Sequence, residues 1–341
     1  MMLAADYWWI WTIVKVVVVL AIVPTGALVI GFVFLFKVMS YMQSRLGPME
    51  AGPQGTLQLL ADGLKFLQKE DITPKQADKW VFALAPVMVL ASTFLVFVVL
   101  PAGPDLIVED IQTGAFYALA VSSLSVIGIL MAGWASANKF ALLGGLRAAA
   151  QLIAYELPLL LAVLGVVIMA GTMSMQEIVS IQNTGEIFGW GGIGNPFIIT
   201  QIVGFVIFMI AAQAELTQPP FDMPVAESEL VTGYMVEYTG FRFLFFFIGE
   251  FGTAFAFAGL AATLWLGGWA VPWITTDAWW VNLVGVAVLF IKIMAISFLI
   301  FWVRFTYPRF REDQLQAIAW KYLIPIALVN VLATGAFKVW M

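Results

Sequence analysis

Cysteine and histidine are absent from this sequence of 341 residues. Iron–sulfur clusters, most haem groups and structural zinc sites need thiolate or imidazole ligands, so the chain cannot hold them by itself. Its glycine pairs, Gly144–Gly145 and Gly191–Gly192, lack the spacing of a phosphate-binding loop, and no calcium-binding pattern is present. We therefore expect no metal, haem, flavin or iron–sulfur cluster in this chain, and no nucleic-acid partner.

Charged residues are also scarce. They make up 11% of the chain, against about a quarter in soluble domains, while 62% of residues are hydrophobic and the mean hydropathy is +0.97. This composition is typical of a polytopic membrane protein. The first residues, Met1–Trp11, contain Asp6 and no basic residue, so they lack the positive region of a cleavable signal, and we expect them to remain in the protein.

The apolar segments predict an all-helical bundle that forms a single membrane domain over 1–341. Each segment has about the 20 residues that a helix needs to cross a bilayer, and none shows the alternation of a strand. Eight spans are predicted, at about 8–36, 80–101, 114–135, 148–170, 197–217, 241–266, 280–303 and 318–340.

Lysine and arginine are confined to alternate loops of this arrangement. The loops after the first, third, fifth and seventh spans contain Lys37, Arg45, Lys65, Lys69, Lys75, Lys79, Lys139, Arg147, Arg242, Arg304, Arg309, Arg311 and Lys321. The opposite loops contain none. By the positive-inside rule the odd-numbered loops face the cytoplasm and both termini face outside.

The first of these loops contains a predicted amphipathic helix at 56–69. Leu57, Leu60, Leu64 and Leu67 fall on one face, and Gln58, Asp62, Lys65 and Lys69 fall on the other. Two interpretations are open. The helix either caps the bundle in solvent or lies on the membrane surface.

Positive charge is missing from the whole interval between Arg147 and Arg242, although carboxylates are frequent there. Five of them form a group that we call the acidic cluster: Glu215, Asp222, Glu227, Glu229 and Glu237. The last four lie in a predicted cytoplasmic loop at 218–240. Because no counter-charge is near in sequence, we expect these acids to bind protons or a cationic partner.

Ionisable residues also lie within the predicted spans, namely Glu156, Glu250 and Lys292. Any one of these residues, or any one member of the acidic cluster, fits a structural role such as helix capping as well as it fits a functional role. Taken together, the acids favour proton handling, since burial and like charges bring carboxyl pKa values toward neutral pH. The predicted proton-relay residues are Glu156, Glu215, Asp222, Glu227, Glu229, Glu237 and Glu250.

Several motifs resemble the H-subunit family of respiratory complex I, the proton-translocating NADH-quinone oxidoreductase. In the first cytoplasmic loop they are Arg45-Leu46-Gly47-Pro48, Gly52-Pro53-Gln54-Gly55, Ala61-Asp62-Gly63-Leu64-Lys65 and Lys69-Glu70-Asp71-Ile72. Further along they are Gly133-Trp134-Ala135-Ser136, Leu142-Leu143-Gly144-Gly145-Leu146-Arg147, Pro220-Phe221-Asp222, Ala226-Glu227-Ser228-Glu229 and Arg311-Glu312-Asp313-Gln314-Leu315. The match in order and spacing extends over nearly the whole chain.

The resemblance implies a membrane subunit that forms a quinone chamber with a peripheral iron–sulfur subunit and couples quinone reduction to proton translocation. The electron donor of such a complex is NADH or ferredoxin. Quinone is the implied bound substrate, and its implied contacts are Arg45, Gly47, Pro48, Asp62, Lys65, Phe221 and Asp222. Antiporter-like and small membrane subunits, lipid, and an energy-transducing membrane such as the bacterial plasma membrane are implied as surroundings.

The chain departs from the family pattern at a few positions. Leu35 and Phe36 stand where a Glu-Arg pair is common, Gln218 replaces an arginine, and Val225 replaces a glutamate. Two other functions remain open: the membrane anchor of an energy-converting hydrogenase, and an independent secondary transporter. Nickel in the purified complex would favour the first, and activity of the isolated chain would favour the second.

Overall fold

All regular structure in the described residues is helical. The computed structural model describes residues 8–184, 194–271 and 279–340. Its helices are α1 Trp9–Met42, α2 Gln58–Gln68, α3 Lys79–Val96, α4 Gly114–Ala135, α5 Lys139–Ala170, α6 Met175–Thr184, α7 Ile202–Glu215, α8 Gly240–Leu266, α9 Trp279–Thr306 and α10 Glu312–Trp340. Short helical turns occur at Pro53–Gly55, Glu227–Leu230 and Gly233–Met235. Two π-helical stretches, Gly31–Val38 and Ile318–Leu323, interrupt α1 and α10.

Within the described ranges, seven helices are long and apolar enough to cross a bilayer, one fewer than predicted. The predicted span at 197–217 contains α7, which has only 14 residues. At a rise of 1.5 Å per residue α7 is about 21 Å long, short of the hydrocarbon thickness of about 30 Å. The residues before α7 leave the helix because the N–H of Phe197 donates to Gln182 Oε1 at 3.2 Å and that of Ile198 to the Trp265 carbonyl at 3.0 Å.

Helix α5 begins at Lys139, nine residues before the predicted span at 148–170. Asn138 caps it, since its Oδ1 accepts a hydrogen bond from the N–H of Phe140 at 2.8 Å. The first turns contain Lys139 and Arg147, which hydropathy alone excludes from an apolar span. As a result α5 extends beyond the apolar segment at its basic end.

Helices α5 and α8 form the centre of the bundle. In their most apolar windows 61% of residues are buried, compared with 22% in α10 and 33% in α1 and α9. Small residues permit close helix contact, as where Gly133 of α4 faces Gly145 of α5: a Cβ at Gly133 would meet the Gly145 Cα at 3.0 Å. The candidate site lies at the basic end of this bundle.

Candidate functional site

Arginines from distant parts of the chain bind the acidic loop that precedes α8. Arg309, between α9 and α10, donates from Nη2 to Asp222 Oδ2 at 2.9 Å. Arg147 of α5 donates from Nη1 to Glu229 Oε2 at 2.6 Å, and its Nε lies 3.7 Å from Glu312 Oε2. These pairs attach the loop to α5 and to the start of α10.

The prediction that these acids need protons or a cationic partner from outside the chain was therefore wrong for Asp222 and Glu229. Their partners, Arg309 and Arg147, lie 87 and 82 positions away in the sequence. Glu227 is exposed and forms no hydrogen bond or ion pair with the part of the chain that the structure describes. The charge of Glu227 is therefore open to an outside partner.

A third arginine forms an ion pair on the buried side of the site. Arg304 of α9 lies with Nη1 3.6 Å from Glu250 Oε1 on α8. Gln218 connects the two, because its amide oxygen accepts a hydrogen bond from Arg304 and its amide nitrogen donates to Glu250. Although Gln218 stands where the resembled family has an arginine, a cation is present at this place.

Next to Glu250 is an internal cavity of about 50 Å³ between α3, α4, α7 and α8. Its lining includes two carboxyl groups and several hydroxyl groups: Glu215, Glu250, Ser92, Thr93, Ser122, Ser125, Thr217, Tyr234 and Thr253. The hydroxyl oxygens of Thr93 and Thr253 lie 2.7 Å apart. A cavity of this size with carboxyl and hydroxyl groups in its lining has room for a few water molecules.

Glu215, the last residue of α7, lies between this cavity and a second one. The second cavity has a volume of about 220 Å³ and is lined by Glu156 of α5, Glu215, Phe116, Leu119 and Ser123 among others. One carboxyl oxygen of Glu215 is buried without a hydrogen-bond partner in the described part of the chain. An unpaired buried carboxyl between two cavities is suited to bind a proton or water.

Among the loop acids, Asp222 interacts electrostatically with the buried groups Tyr234 and Glu250. Burial raises the pKa of its carboxyl, and the charge and hydrogen bond of Arg309 and the charge of Arg304 oppose that rise. Burial also raises the pKa of Tyr234, with smaller contributions from the charges of Glu250 and Asp222. The phenol of Tyr234 therefore stays protonated at neutral pH, at the border between the loop and the cavity.

Glu237 lies apart from the other predicted relay acids. Its Oε1 accepts a hydrogen bond from Asn138 Nδ2 at 2.6 Å, and it lines an open surface pocket with Lys75 and Lys139. The structure thus brings Glu156, Glu215 and Glu250 together through two cavities. It leaves Glu227, Glu229 and Glu237 at the surface.

The first loop folds back on the end of α1. Lys37 Nζ donates to the Pro48 carbonyl at 2.8 Å, and Arg45 Nε donates to Gln43 Oε1 at 2.8 Å. Gly47 has φ +68°, and a Cβ there would meet the Phe36 carbonyl at 2.7 Å, so only glycine fits this turn. Arg45, Gly47 and Pro48 therefore lie together beside the end of α1.

Helix α2 packs with one face on the bundle and leaves its predicted apolar face uncovered. Leu59 contacts α1 at Gly31, and the Phe66 ring lies 5.4 Å from Phe243 of α8. On the polar side Lys65 Nζ lies 3.6 Å from Asp62 Oδ1. The four leucines of the predicted face are each more than half exposed: Leu57, Leu60, Leu64 and Leu67.

The first loop and the acidic loop meet where α8 begins. The N–H of Ile72 donates to Thr239 Oγ1 at 3.0 Å, and Arg242 Nε lies 3.2 Å from Asp71 Oδ2. Phe221 of the acidic loop is buried, with its ring 5.3 Å from Tyr155 and 5.5 Å from Phe310. Phe221 thus anchors the loop on the core.

Sequence reasoning missed three residues that organise this site: Arg147, Arg304 and Arg309. Their positive charge was visible in the sequence, but it was used only to predict the orientation of the helices by the positive-inside rule. Lys292 is explained as well, since its Nζ donates to the carbonyls of Leu266 and Gly268, both at 2.7 Å, at the end of α8. A lysine that binds the end of a helix stabilises it.

These features define a class: a helical membrane protein with carboxyl groups buried behind a charged loop at one end of the bundle. The chain belongs to the NADH dehydrogenase family, whose sequence profile matches residues 14–335. The resemblance predicted from the loop motifs is thereby confirmed.

Similar proteins within this family are H subunits of NADH-quinone oxidoreductase. The chain is 43% identical over 326 residues to the H subunit of NADH-quinone oxidoreductase from Brevibacillus brevis, and the match covers 96% of this chain and 93% of the relative. It is 44% identical over 329 residues to the corresponding protein of Geobacillus kaustophilus, with 92% and 93% covered. It is 45% identical over 323 residues to that of Bacillus thuringiensis subsp. konkukian, with 94% and 92% covered.

Proposed function

We propose that this chain is the membrane subunit of a complex I-type quinone oxidoreductase, in which it forms the quinone chamber and couples quinone reduction to proton translocation. The relatives are named as subunits of such an oxidoreductase. The observation that carries the coupling is the position of Glu215, an unpaired buried carboxyl between the cavity of Glu250 and that of Glu156.

The quinone occupies the region where the first loop and the acidic loop meet. Arg45, Gly47 and Pro48 border it from one side, and Phe221 and Asp222 from the other. The hydrogen bond and ion pair at Thr239 and Arg242 support this arrangement, because they join the two loops. Asp62 and Lys65 mark the polar face of α2, whose exposed leucines meet the isoprenoid tail or lipid.

Reduction of a quinone to a quinol takes up two electrons and two protons, and the chamber carries extra negative charge from the arrival of the electrons until the protons follow. This change in charge acts electrostatically on Asp222, which Arg309 contacts. Glu227 and Glu229 carry the same electrostatic effect to the surface. Arg304 transmits it to Glu250, whose proton affinity depends on that arginine. Protons then move along Glu250, Glu215 and Glu156, with water in the cavities between them. Glu237 takes part from its separate pocket as a surface acid.

The electrons come from a partner, because the sequence contains no cysteine or histidine to hold a cluster. A peripheral iron–sulfur subunit, with other quinone-site subunits, covers the acidic loop on the cytoplasmic side. Antiporter-like and small membrane subunits continue the path beyond Glu156. The loops that contain the lysines and arginines face the cytoplasm of a bacterial plasma membrane, in keeping with the positive-inside rule and with the bacterial relatives.

The two other functions that the sequence left open are not favoured. The relatives carry the name of a quinone oxidoreductase subunit rather than that of a hydrogenase or a transporter. A subunit role also suits Glu227, which is exposed at the centre of the acidic loop.

The test is the variant Glu215→Gln in the assembled complex, measured in membrane vesicles. We expect most of the proton pumping and of the quinone reductase activity to be lost together, because a neutral amide cannot pass a proton between the cavities. Glu215→Asp should retain a measurable part of both.

The matched control is Glu109→Gln, which neutralises an exposed acid at the opposite end of the bundle, where Glu109 pairs with Lys15 at 3.3 Å. We expect it to pump as the unaltered complex does. Normal pumping by a fully assembled Glu215→Gln complex would remove Glu215 from the proton path and leave the coupling proposal without its main support.

A further inference from the structure

Three lysines at the basic end of α3 and α5 have no acidic partner. Lys75, Lys79 and Lys139 are exposed, and none forms an ion pair or hydrogen bond with the residues that the structure describes. Lys75 and Lys139 line the same open pocket, which has a volume of about 550 Å³. The positive charge of this pocket is therefore available to a ligand from outside the chain.

The acids nearby are already used by the chain itself. Glu237 in the pocket accepts the hydrogen bond of Asn138. Asp78 caps α3, because its Oδ1 accepts hydrogen bonds from the N–H groups of Trp80 at 3.2 Å and Val81 at 3.4 Å. The pocket itself contains Lys75, Lys139 and Glu237, so the carboxylate offsets one of the two ammonium charges and a net positive charge remains.

An apolar groove of about 300 Å³ lies between α3, α4 and α5, and its lining residues are close in sequence to those of the pocket. It is lined by Val81 of α3, Leu130, Met131 and Trp134 of α4, and Leu142, Gly145 and Leu146 of α5. Trp134 lies two residues before Ser136, which lines the pocket. From Trp134 to Leu130 the rise along α4 is about 6 Å, so the groove extends along α4 into its apolar segment.

Two exposed tryptophans flank the pocket and the groove. The side chain of Trp80 is 87% exposed and that of Trp134 is 72% exposed. Tryptophan and lysine together are enriched where a protein meets the headgroup layer of a membrane. The part of this end formed by α3 and α4 is thus suited to contact lipid.

We propose that the pocket and the groove together bind an anionic phospholipid, with its phosphate between Lys75 and Lys139 and one acyl chain in the groove. Charge complementarity selects an anionic headgroup, since the unpaired groups are ammonium ions. The apolar groove requires a chain, which free phosphate lacks. An acidic segment of a protein partner would satisfy the lysines but would leave the groove without an occupant.

The experiment uses the whole complex, freed of endogenous lipid in detergent and titrated with dioleoyl phosphatidylglycerol. The bound lipid is counted by native mass spectrometry. We expect Lys139→Gln to weaken binding at one site about fivefold and the double variant K75Q/K139Q about thirtyfold, from about 1 kcal/mol for each lysine near a lipid phosphate. Dioleoyl phosphatidylcholine should not occupy this site.

The matched control is Lys321→Gln, which removes an exposed and unpaired lysine from α10 at the same end of the bundle. It should bind phosphatidylglycerol as the unaltered complex does. Inorganic phosphate in excess should not displace the lipid, and complete displacement by phosphate would overturn the proposal in favour of a simple anion site.

Equal binding by K75Q/K139Q and the unaltered complex would also overturn the proposal. So would the loss of a partner subunit from that variant with no change in lipid count, because the lysines would then hold a protein. If the double variant fails to assemble, the unaltered complex is irradiated with phosphatidylglycerol that carries a photoreactive acyl chain. Crosslinks to 130–134 or 142–146 support the site, and crosslinks only elsewhere refute it.

Discussion

Arg304 and Glu250 form an ion pair across 3.6 Å between α9 and α8, and Gln218 of the acidic loop binds both. A glutamate inside the bundle is costly to leave unpaired, so the pair explains how Glu250 is tolerated there. It also connects the loop to the interior, because any displacement of Gln218 changes the surroundings of both charged groups.

The variant Arg304→Gln should destabilise the protein by about 1 to 3 kcal/mol, between the values for exposed and fully buried pairs. The reason is that Glu250 loses its counter-charge. Thermal unfolding of the purified complex should show a lower Tm. The double variant R304Q/E250Q should recover most of the loss, since no unpaired charge then remains, whereas additive losses would show that the pair is not coupled.

The double variant T93V/T253V should slow proton pumping roughly fivefold while the complex assembles normally. Valine keeps the shape of threonine but removes two hydroxyl groups that line the cavity of Glu250, which costs about 1 kcal/mol of hydrogen bonding to water. Pumping is measured in vesicles by a pH-sensitive dye. Thr263→Val is the control: Thr263 is also buried on α8, but its hydroxyl donates to the Gly259 carbonyl away from the cavity. An equal effect of both changes would contradict the prediction.

The variant Arg309→Gln should move the acid side of the pH profile of quinone reduction to higher pH. Burial raises the pKa of Asp222 and Arg309 opposes that rise, so without the arginine the pKa is higher still. An activity that needs the ionised carboxylate then fails at a higher pH as the solution is acidified. The contribution of Asp222 to folding has the opposite pH dependence, because a raised carboxyl pKa favours the folded state at low pH and that contribution is lost as pH rises through the folded-state pKa.

The check is a pH profile of quinone reductase activity for Arg309→Gln beside Arg311→Gln. Arg311 pairs with Asp313 at 2.9 Å, outside the acidic loop, so its loss should leave the profile in place. A profile for Arg309→Gln that coincides with that of the unaltered complex would show that Asp222 does not limit the rate.

The triple variant L60S/L64S/L67S should raise the KM for a long-tailed quinone at least about tenfold. The three leucines are 51%, 54% and 58% exposed, so a tail or lipid that covers them gains about 1 kcal/mol from each. A quinone with a short tail should keep its KM. Leu332→Ser on α10, where the leucine is 73% exposed, is the control and should change neither value.

Much of the fold follows from the sequence because membrane spans are local features. A run of apolar residues predicts a helix wherever it occurs, and hydropathy predicted most of the long helices within a few residues. It was inaccurate at α5, whose start depends on the cap at Asn138, and at α7, whose first predicted residues bind Gln182 and Trp265 instead. The deviation at α5 depends on one hydrogen bond and that at α7 on two, and a hydropathy window does not register them.

The sequence by itself determined the membrane class of this protein, its lack of thiolate and imidazole ligands, its family and the acids of interest. Only the tertiary structure decided which acids line the same cavities and which receive a counter-charge. Glu156, Glu215 and Glu250 are joined by cavities between helices, and Asp222, Glu229 and Glu250 receive arginines that are far away in sequence. The reason is physical. Hydropathy and motif spacing depend on neighbours along the chain, whereas ion pairs and cavities depend on how the helices are rotated and packed against one another.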